Sequence, residues 1–151
     1  MCIRDRAEGT FDTFVADLSQ TFAGFPVHIT YEFPQGSVYR LDWDRLRQVI
    51  TNLINNSIQA IEPLGRSGTV KVTVTDRHSS LVITVVDDGP GIPPEIQDRI
   101  FDPFFTTRRD GNGLGLVICR KIVRLMGGSF ELSSSQPGET IFSISLPKTT
   151  P

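Results

Sequence analysis

Apolar residues recur along this chain with two periods, and the switches between them mark out the elements. Between residues 11 and 22, Phe11, Phe14, Val15, Leu18 and Phe22 fall at helical spacing. Val27, Ile29, Tyr31 and Phe33 then alternate as a strand does, and a Pro-Gln-Gly turn follows at 34–36. Asp42 stands as an N-cap before a long helix reaching to about residue 61. Leu46, Val49, Ile50, Leu53, Ile54, Ser57 and Ile61 line one face of it, and Pro63 and Gly65 end it. Residues 69–76 and 81–87 read as two strands joined by a short polar turn. A Gly/Pro-rich loop covers 88–94, a short amphipathic stretch 95–101, and a second loop 104–113. A second long helix is expected over 114–126, closed by Gly127-Gly128. Two last strands, 129–133 and 140–146, flank Gln136-Pro137-Gly138.

Three helices and several strands that pair locally predict one sheet covered on one face by helices, an α+β two-layer α/β sandwich. The opening MCIRDR has neither period and resembles a translated adaptor scar. Residues 1–10 are therefore expected to be an unstructured or non-native leader, 11–148 the domain, and 149–151 a tail.

Composition changes this picture mainly by exclusion. The 151 residues suit one domain, and 38% apolar with 21% charged is ordinary for a globular chain. Fifteen basic residues against 17 acidic ones leave a net charge of −2, with no positive field to hold nucleic acid. The longest apolar run, 81–86, is far shorter than the ~20 residues a membrane-spanning helix needs. Cys2 and Cys119 lack metal-ligand spacing and read as reduced thiols in a cytoplasmic setting. His28 falls in a strand pattern and His78 in a turn, and neither has a neighbour at ligand spacing.

Three constellations carry candidate chemistry. On the long helix, Asn52 and Asn56 stack one turn apart, with Gln48 and Gln59 on the same flank. Each Asn offers a hard oxygen suited to Mg²⁺ and an amide donor suited to phosphate. A solvated flank would look the same, although three Asn within five positions cost helix stability. Next, a buried strand delivers Asp87 to the lip of the core, followed by Asp88-Gly89-Pro90-Gly91-Ile92. The glycines allow a flat ring to approach the backbone, and the carboxylate can accept from an exocyclic amine. Taken alone, that run also fits a plain turn. Finally, Gly111-Asn112-Gly113-Leu114-Gly115-Leu116 opens the second helix, with Arg108 and Arg109 just before it. Helix-start amides and arginines suit phosphate, though a flexible helix-entry loop reads the same way.

Taken in order, these motifs resemble the catalytic and ATP-binding domain of sensor histidine kinases, within the gyrase/chaperone/kinase/MutL ATPase superfamily. The N box matches at Asn52-Leu53-Ile54-Asn55-Asn56-Ser57 and the first glycine box at 87–92. The F box matches at Ile100-Phe101-Asp102-Pro103-Phe104-Phe105-Thr106-Thr107 and the second glycine box at 111–116. A last G-x-T element matches at Gly138-Glu139-Thr140. The Phe-Phe-Thr-Thr run is similar to the nitrogen-regulatory subgroup. Ser57 stands where Ala is usual, Arg108 where Lys is common, and Met126 where His often precedes Gly-Gly.

The resemblance implies the ATP-binding sandwich called the Bergerat fold, with a mixed sheet. It implies ATP and Mg²⁺ as cofactors. Asn56 would ligate Mg²⁺, and Asn52 and Arg108 would act with it on the phosphates. Asp87 would read the adenine amine, Gly89, Gly91 and Ile92 would shape the base pocket, and Thr140 would support Asp87. Gly111, Gly113, Leu114, Gly115 and Leu116 would face phosphates and sugar, and residues 106–112 would form a lid. Where ATPase branches carry a carboxylate, this chain has Asn52, which has no basic lone pair to activate water. The implied reaction is therefore phosphoryl transfer, from ATP to a histidine on a separate dimerisation domain. The implied partners are that domain and a response-regulator receiver domain, with no nucleic acid, no membrane insertion of this segment, and a monomeric isolated domain. The chain is then expected to be the C-terminal fragment of a longer kinase that is itself either membrane-bound or not. The alternatives are a nucleotide-dependent switch without catalysis and an anti-sigma-factor-type serine kinase.

Overall fold

The computed structural model describes residues 6–106 and 113–148. The elements run β1 (Ala7–Thr10), α1 (Phe11–Thr21), β2 (Val27–Glu32), β3 (Val38–Leu41), α2 (Trp43–Ile61), β4 (Gly68–Asp76) and β5 (Ser80–Asp87). After them come α3 (Gly115–Leu125), β6 (Ser129–Gln136) and β7 (Glu139–Pro147). Short 3₁₀ turns occupy Glu62–Leu64 and Pro94–Arg99.

Five strands form the main sheet in the order β2-β4-β5-β7-β6. β2 runs parallel to β4, and the remaining pairs are antiparallel, so the sheet is mixed. Its alternation sets the layers. Leu81, Ile83 and Val85 of β5, with Phe142, Ile144 and Leu146 of β7, are buried against the helices. Between them, Thr84, Ser143 and Ser145 face the other way and stay partly open. α2 supplies the matching stripe: Leu46, Val49, Ile50, Leu53, Ile54 and Ile61 are all at most 1% exposed. α3 adds Cys119, Ile122 and Val123, and Gly127 at φ 81 ends it in the left-handed conformation. The expected sandwich, with three helices over one face, is the observed fold.

Two expectations need correcting. Residues 7–10 are not unstructured: they form β1, which pairs antiparallel with β3. β3 itself carries no sequence signal, because four residues with one partner show almost no period. The pair holds because the Trp43 indole donates to the Ala7 carbonyl at 2.9 Å and packs edge-on against Phe11. Residues 1–5 lie outside the described residues. Further on, β6 extends to Gln136 instead of stopping at 133. Its three serines hide a strand that Pro137-Gly138 turns directly into β7, with Gly138 at φ 89.

Candidate functional site

The C-terminal half of α2, the end of β5 and the start of α3 converge on a cleft of about 560 Å³. Asn56, Ser57, Gln59 and Ala60 line it from α2, and Pro63 and Leu64 from the turn that follows. Asp87, Gly91 and Ile92 close one wall, while Thr140 and Phe142 of β7 form its floor. Phe105, Thr106, Gly113, Gly115 and Leu116 bound the other end.

Asp87 is the chemical centre of this arrangement. It is only 6% exposed although it is a carboxylate at a strand end. The Ser57 hydroxyl donates to its Oδ2 at 2.8 Å and the Gly89 amide to its Oδ1 at 3.0 Å. Burial pushes the Asp87 carboxyl above the ordinary aspartate range; the two donated bonds pull it down, and neighbouring Asp88 adds a push upward. Thr140 is its Cα partner across the β5–β7 ladder. Asp88 has a different employment. It accepts from the Thr69 amide and hydroxyl, both at 3.0 Å, and Arg66 lies 3.4 Å from it. Burial opposes ionisation of Asp88, but these Thr69 and Arg66 contacts hold its carboxyl below the usual range.

The glycines act through close approach. Gly91 has φ 83, and a Cβ there would come within 2.6 Å of the Gln136 carbonyl oxygen. Gly113 has φ 72, and a Cβ would meet the backbone of Phe104 at 2.3 Å. Phe104 donates its amide to the Gly113 carbonyl at 3.2 Å and itself sits at φ 68, 73% exposed. Phe105 turns instead toward the cleft, with the Arg99 guanidinium 4.4 Å above its ring. Leu114 holds the N-cap position of α3, and a leucine side chain has no acceptor for the amides of the first turn.

The cleft therefore unites Asn56, Asp87, Gly91, Ile92, Gly113, Gly115, Leu116 and Thr140 of the predicted set. Gly89 lies behind the wall, holding the Asp87 carboxylate. Asn52, one turn before Asn56, does not line the cleft: its amide donates to Cys119 Sγ at 3.7 Å. Cys119 is a free, fully buried thiol, and that burial raises it to about 11. Arg108 and Gly111 lie outside the described residues. His28 and His78 are exposed, on β2 and in the β4–β5 turn. Two roles escaped sequence reasoning, that of Ser57 as donor to Asp87 and that of Ser135. Ser57 was visible as the one hydroxyl in an otherwise apolar helix stripe, a position that demands a partner. Ser135, whose hydroxyl accepts from the Ile92 amide at 2.7 Å, had no signal among its serine neighbours. Among the described residues no group of His, Cys, Asp and Glu could hold a metal ion, and no helix is long and apolar enough to cross a membrane.

Comparison with known proteins narrows the reading. The chain is similar to the sensor histidine kinase ZraS of Salmonella typhimurium, 44% identical over 107 residues covering 70% of this chain and 22% of that protein. It is also similar to the sensory histidine kinase/phosphatase NtrB of Proteus hauseri, 42% identical over 114 residues, 69% of this chain and 32% of that protein. The chain thus spans about a fifth to a third of the length of these curated relatives. Among solved structures, the catalytic domain of histidine kinase ThkA superimposes with a TM-score of 0.80 at 30% identity, covering 95% of this chain and 96% of that one. Full-length ShkA in complex with AMPPNP gives a TM-score of 0.82 at 25% identity, covering 97% of this chain and 32% of that one. The model of the family described as "Histidine kinase-, DNA gyrase B-, and HSP90-like ATPase" matches residues 41–150, so the chain belongs to this ATP-binding family and carries the catalytic-domain fold of histidine kinases.

Proposed function

We propose that this chain binds Mg²⁺-ATP in the cleft and passes the γ-phosphate to a histidine on a separate dimerisation domain. The observation that carries this reading is Asp87, a buried carboxylate held in the wall of a nucleotide-sized cleft. Its acceptor oxygens suit the exocyclic amine of adenine, and Gly91, Ile92 and Phe142 offer a flat apolar surround. At the other end, Gly113 and Gly115 open α3, and the positive end of the helix dipole favours phosphate there. Arg108 and Gly111 belong to the same phosphate-facing group on the strength of the family resemblance.

Mg²⁺ fits the donor set in one respect: Asn56 brings a hard amide oxygen to the cleft. When bound, the ion neutralises charge on the phosphates. The chain's own residues then supply orientation. Asp87 would orient the base, the α3 amides would face the phosphates, and Asn56 would hold the ion through its amide oxygen. Asn52 cannot act as a general base toward water, and its amide is engaged with Cys119. That favours transfer over hydrolysis.

The parent protein would act in two-component signalling, with a response-regulator receiver domain as the next acceptor. ThkA has been solved in complex with the response regulator TrrA, and a resemblance to it at TM-score 0.74 and 29% identity supports that choice. A reaction that consumes ATP suits the cytoplasmic side of the membrane. The test supplies the chain with a dimerisation helix pair from a nitrogen-regulatory-type kinase and Mg²⁺-ATP. Acid-labile, base-stable phosphate on the acceptor histidine is expected. Nucleotide binding without transfer to any cognate acceptor would contradict the kinase reading and leave a nucleotide-dependent switch.

A further inference from the structure

Behind the cleft, one hydroxyl is placed by an irregularity of the sheet. β6 carries three consecutive serines, Ser133-Ser134-Ser135. Leu132 pairs with Phe142, so an unbroken register would set Ser134 opposite Thr140. Instead the register shifts between Leu132 and Ser134, which puts Ser134 opposite Ile141 and Ser135 opposite Thr140. One extra residue in a strand re-aims the side chains beyond it, and such bulges gather beside functional sites. Ser133 bonds the hydroxyl of Ser143 on the open face of the sheet. Ser135, by contrast, turns to the helix-covered face and is half-buried.

There the Ser135 oxygen accepts the Ile92 amide at 2.7 Å and lies 3.1 Å from Thr140 Oγ1. The hairpin tip beyond it grips the same loop. The Gly138 amide donates to the Gly89 carbonyl at 2.9 Å, and Gly91 packs on the Gln136 carbonyl. Ser135 is therefore joined both to the glycine loop and to Thr140, a wall and the floor of the cleft, without lining the cleft itself.

A serine hydroxyl has one hydrogen and two lone pairs, and the Ile92 amide uses one lone pair. We propose that Ser135 is a positioning residue for base selection, donating its hydrogen to Thr140 Oγ1 so that Thr140's own hydroxyl hydrogen points into the cleft beside Asp87. A donor and an acceptor side by side match an unprotonated ring nitrogen next to an amino group, as on the N1/N6 edge of adenine. They mismatch the N1–H/6-oxo edge of hypoxanthine. The bulge sets this pairing, because in an unbroken register Ser135 would not face Thr140. The proposal rests on the adenine-nucleotide reading above and assigns its base selectivity.

The test measures dissociation constants for ADP, 1-deaza-ADP and IDP with Mg²⁺ in the wild type and in Ser135→Ala, Ser135→Thr and Ser134→Ala. Wild type is expected to prefer ADP over both analogues. Ser135→Ala should weaken ADP roughly 5- to 10-fold while weakening 1-deaza-ADP far less, so that discrimination at N1 collapses. Ser135→Thr should restore both affinity and discrimination, and Ser134→Ala should change neither. Equal losses for ADP and 1-deaza-ADP in Ser135→Ala would reduce Ser135 to a structural residue and overturn the proposal. The wild-type ratio of ADP to 1-deaza-ADP needs no variant, and a ratio near one overturns it as well. Failure of the wild type to bind ADP at all would overturn the nucleotide reading itself.

Discussion

The two halves of α2 share one apolar stripe but use their polar residues in opposite ways. In the first half, polar groups serve the helix. Asp42 caps it by accepting the Arg45 amide at 3.1 Å and pairs with the Arg45 side chain at 3.3 Å. Arg47 ties the exposed face to Asp17 of α1 at 2.9 Å. In the second half, polar groups turn away from the helix: Asn52 to Cys119, Ser57 to Asp87, and Asn56 to the cleft. Asn and Ser are poor helix formers, so this half gives up local stability for the partners it reaches. The same continuous core face under both halves absorbs that loss. Polar residues on one helix therefore divide into those that hold the fold and those that hold the site, and substitution should separate them.

The largest effect is expected at the partner of Ser57. Asp87→Asn loses the charge and keeps one oxygen, enough for the Gly89 amide at Oδ1, while the Ser57 hydroxyl, which now faces the amide nitrogen, can rotate to accept from it. Nucleotide affinity should fall roughly 10- to 100-fold, as for a bond to a charged group, with the melting temperature not lowered. A melting temperature that collapses with affinity would move Asp87 from the site to the fold. Asn56→Ala comes next. Mg²⁺-dependent affinity should fall by about 2 kcal/mol, roughly 30-fold, and stability should hold because Ala is the better helix former. Calorimetry with and without Mg²⁺ checks it, and equal wild-type affinities in the two conditions would contradict the Asn56 assignment.

Asp42→Ala should behave in the reverse sense. Loss of the cap costs about 1 kcal/mol, which lowers the melting temperature by roughly 2–4 °C for a chain of this size. Nucleotide affinity should not change, and a change would break the division between the halves. The smallest effect is in pH dependence. Burial raises the Asp87 carboxyl in the folded chain, so folding favours its protonated form. That stability is complete below the unfolded value and is lost as pH rises through the raised folded value. The melting temperature of Asp87→Asn should therefore gain on the wild type as pH rises through that window. Nucleotide binding runs the other way, because the ionised carboxylate is the stronger acceptor, and wild-type affinity should fall as pH drops through the same window. Parallel pH profiles for the two proteins would contradict the assignment.

Much of this was legible in the residues. α2 was readable from its cap to its last apolar position because nineteen residues repeat one period clearly. Asp87 was readable as a carboxylate at the lip of the core, since an apolar strand leads straight into it, but alone the run fitted a plain turn and only the order of the motifs singled it out. The misses share a physical cause, since they depend on pairing across the chain and not on local pattern. β1 and β3 are four residues each and exist through each other. Ser135 matters only because a bulge in one strand sets it across from Thr140, and no run of three serines reveals which of them will face inward. Asn52 and Asn56 stand one turn apart as the helix requires, yet only Asn56 lines the cleft, because α3 brings Cys119 against the earlier turn.

The most direct test of the account is a calorimetric titration of this chain with Mg²⁺ and a non-hydrolysable ATP analogue, run beside Asp87→Asn. Saturable binding to the wild type, lost or strongly weakened in a variant that melts no lower, is the predicted result. Equal binding by both proteins would contradict the assignment of Asp87 as the base reader, and no binding by the folded wild type would contradict the nucleotide site.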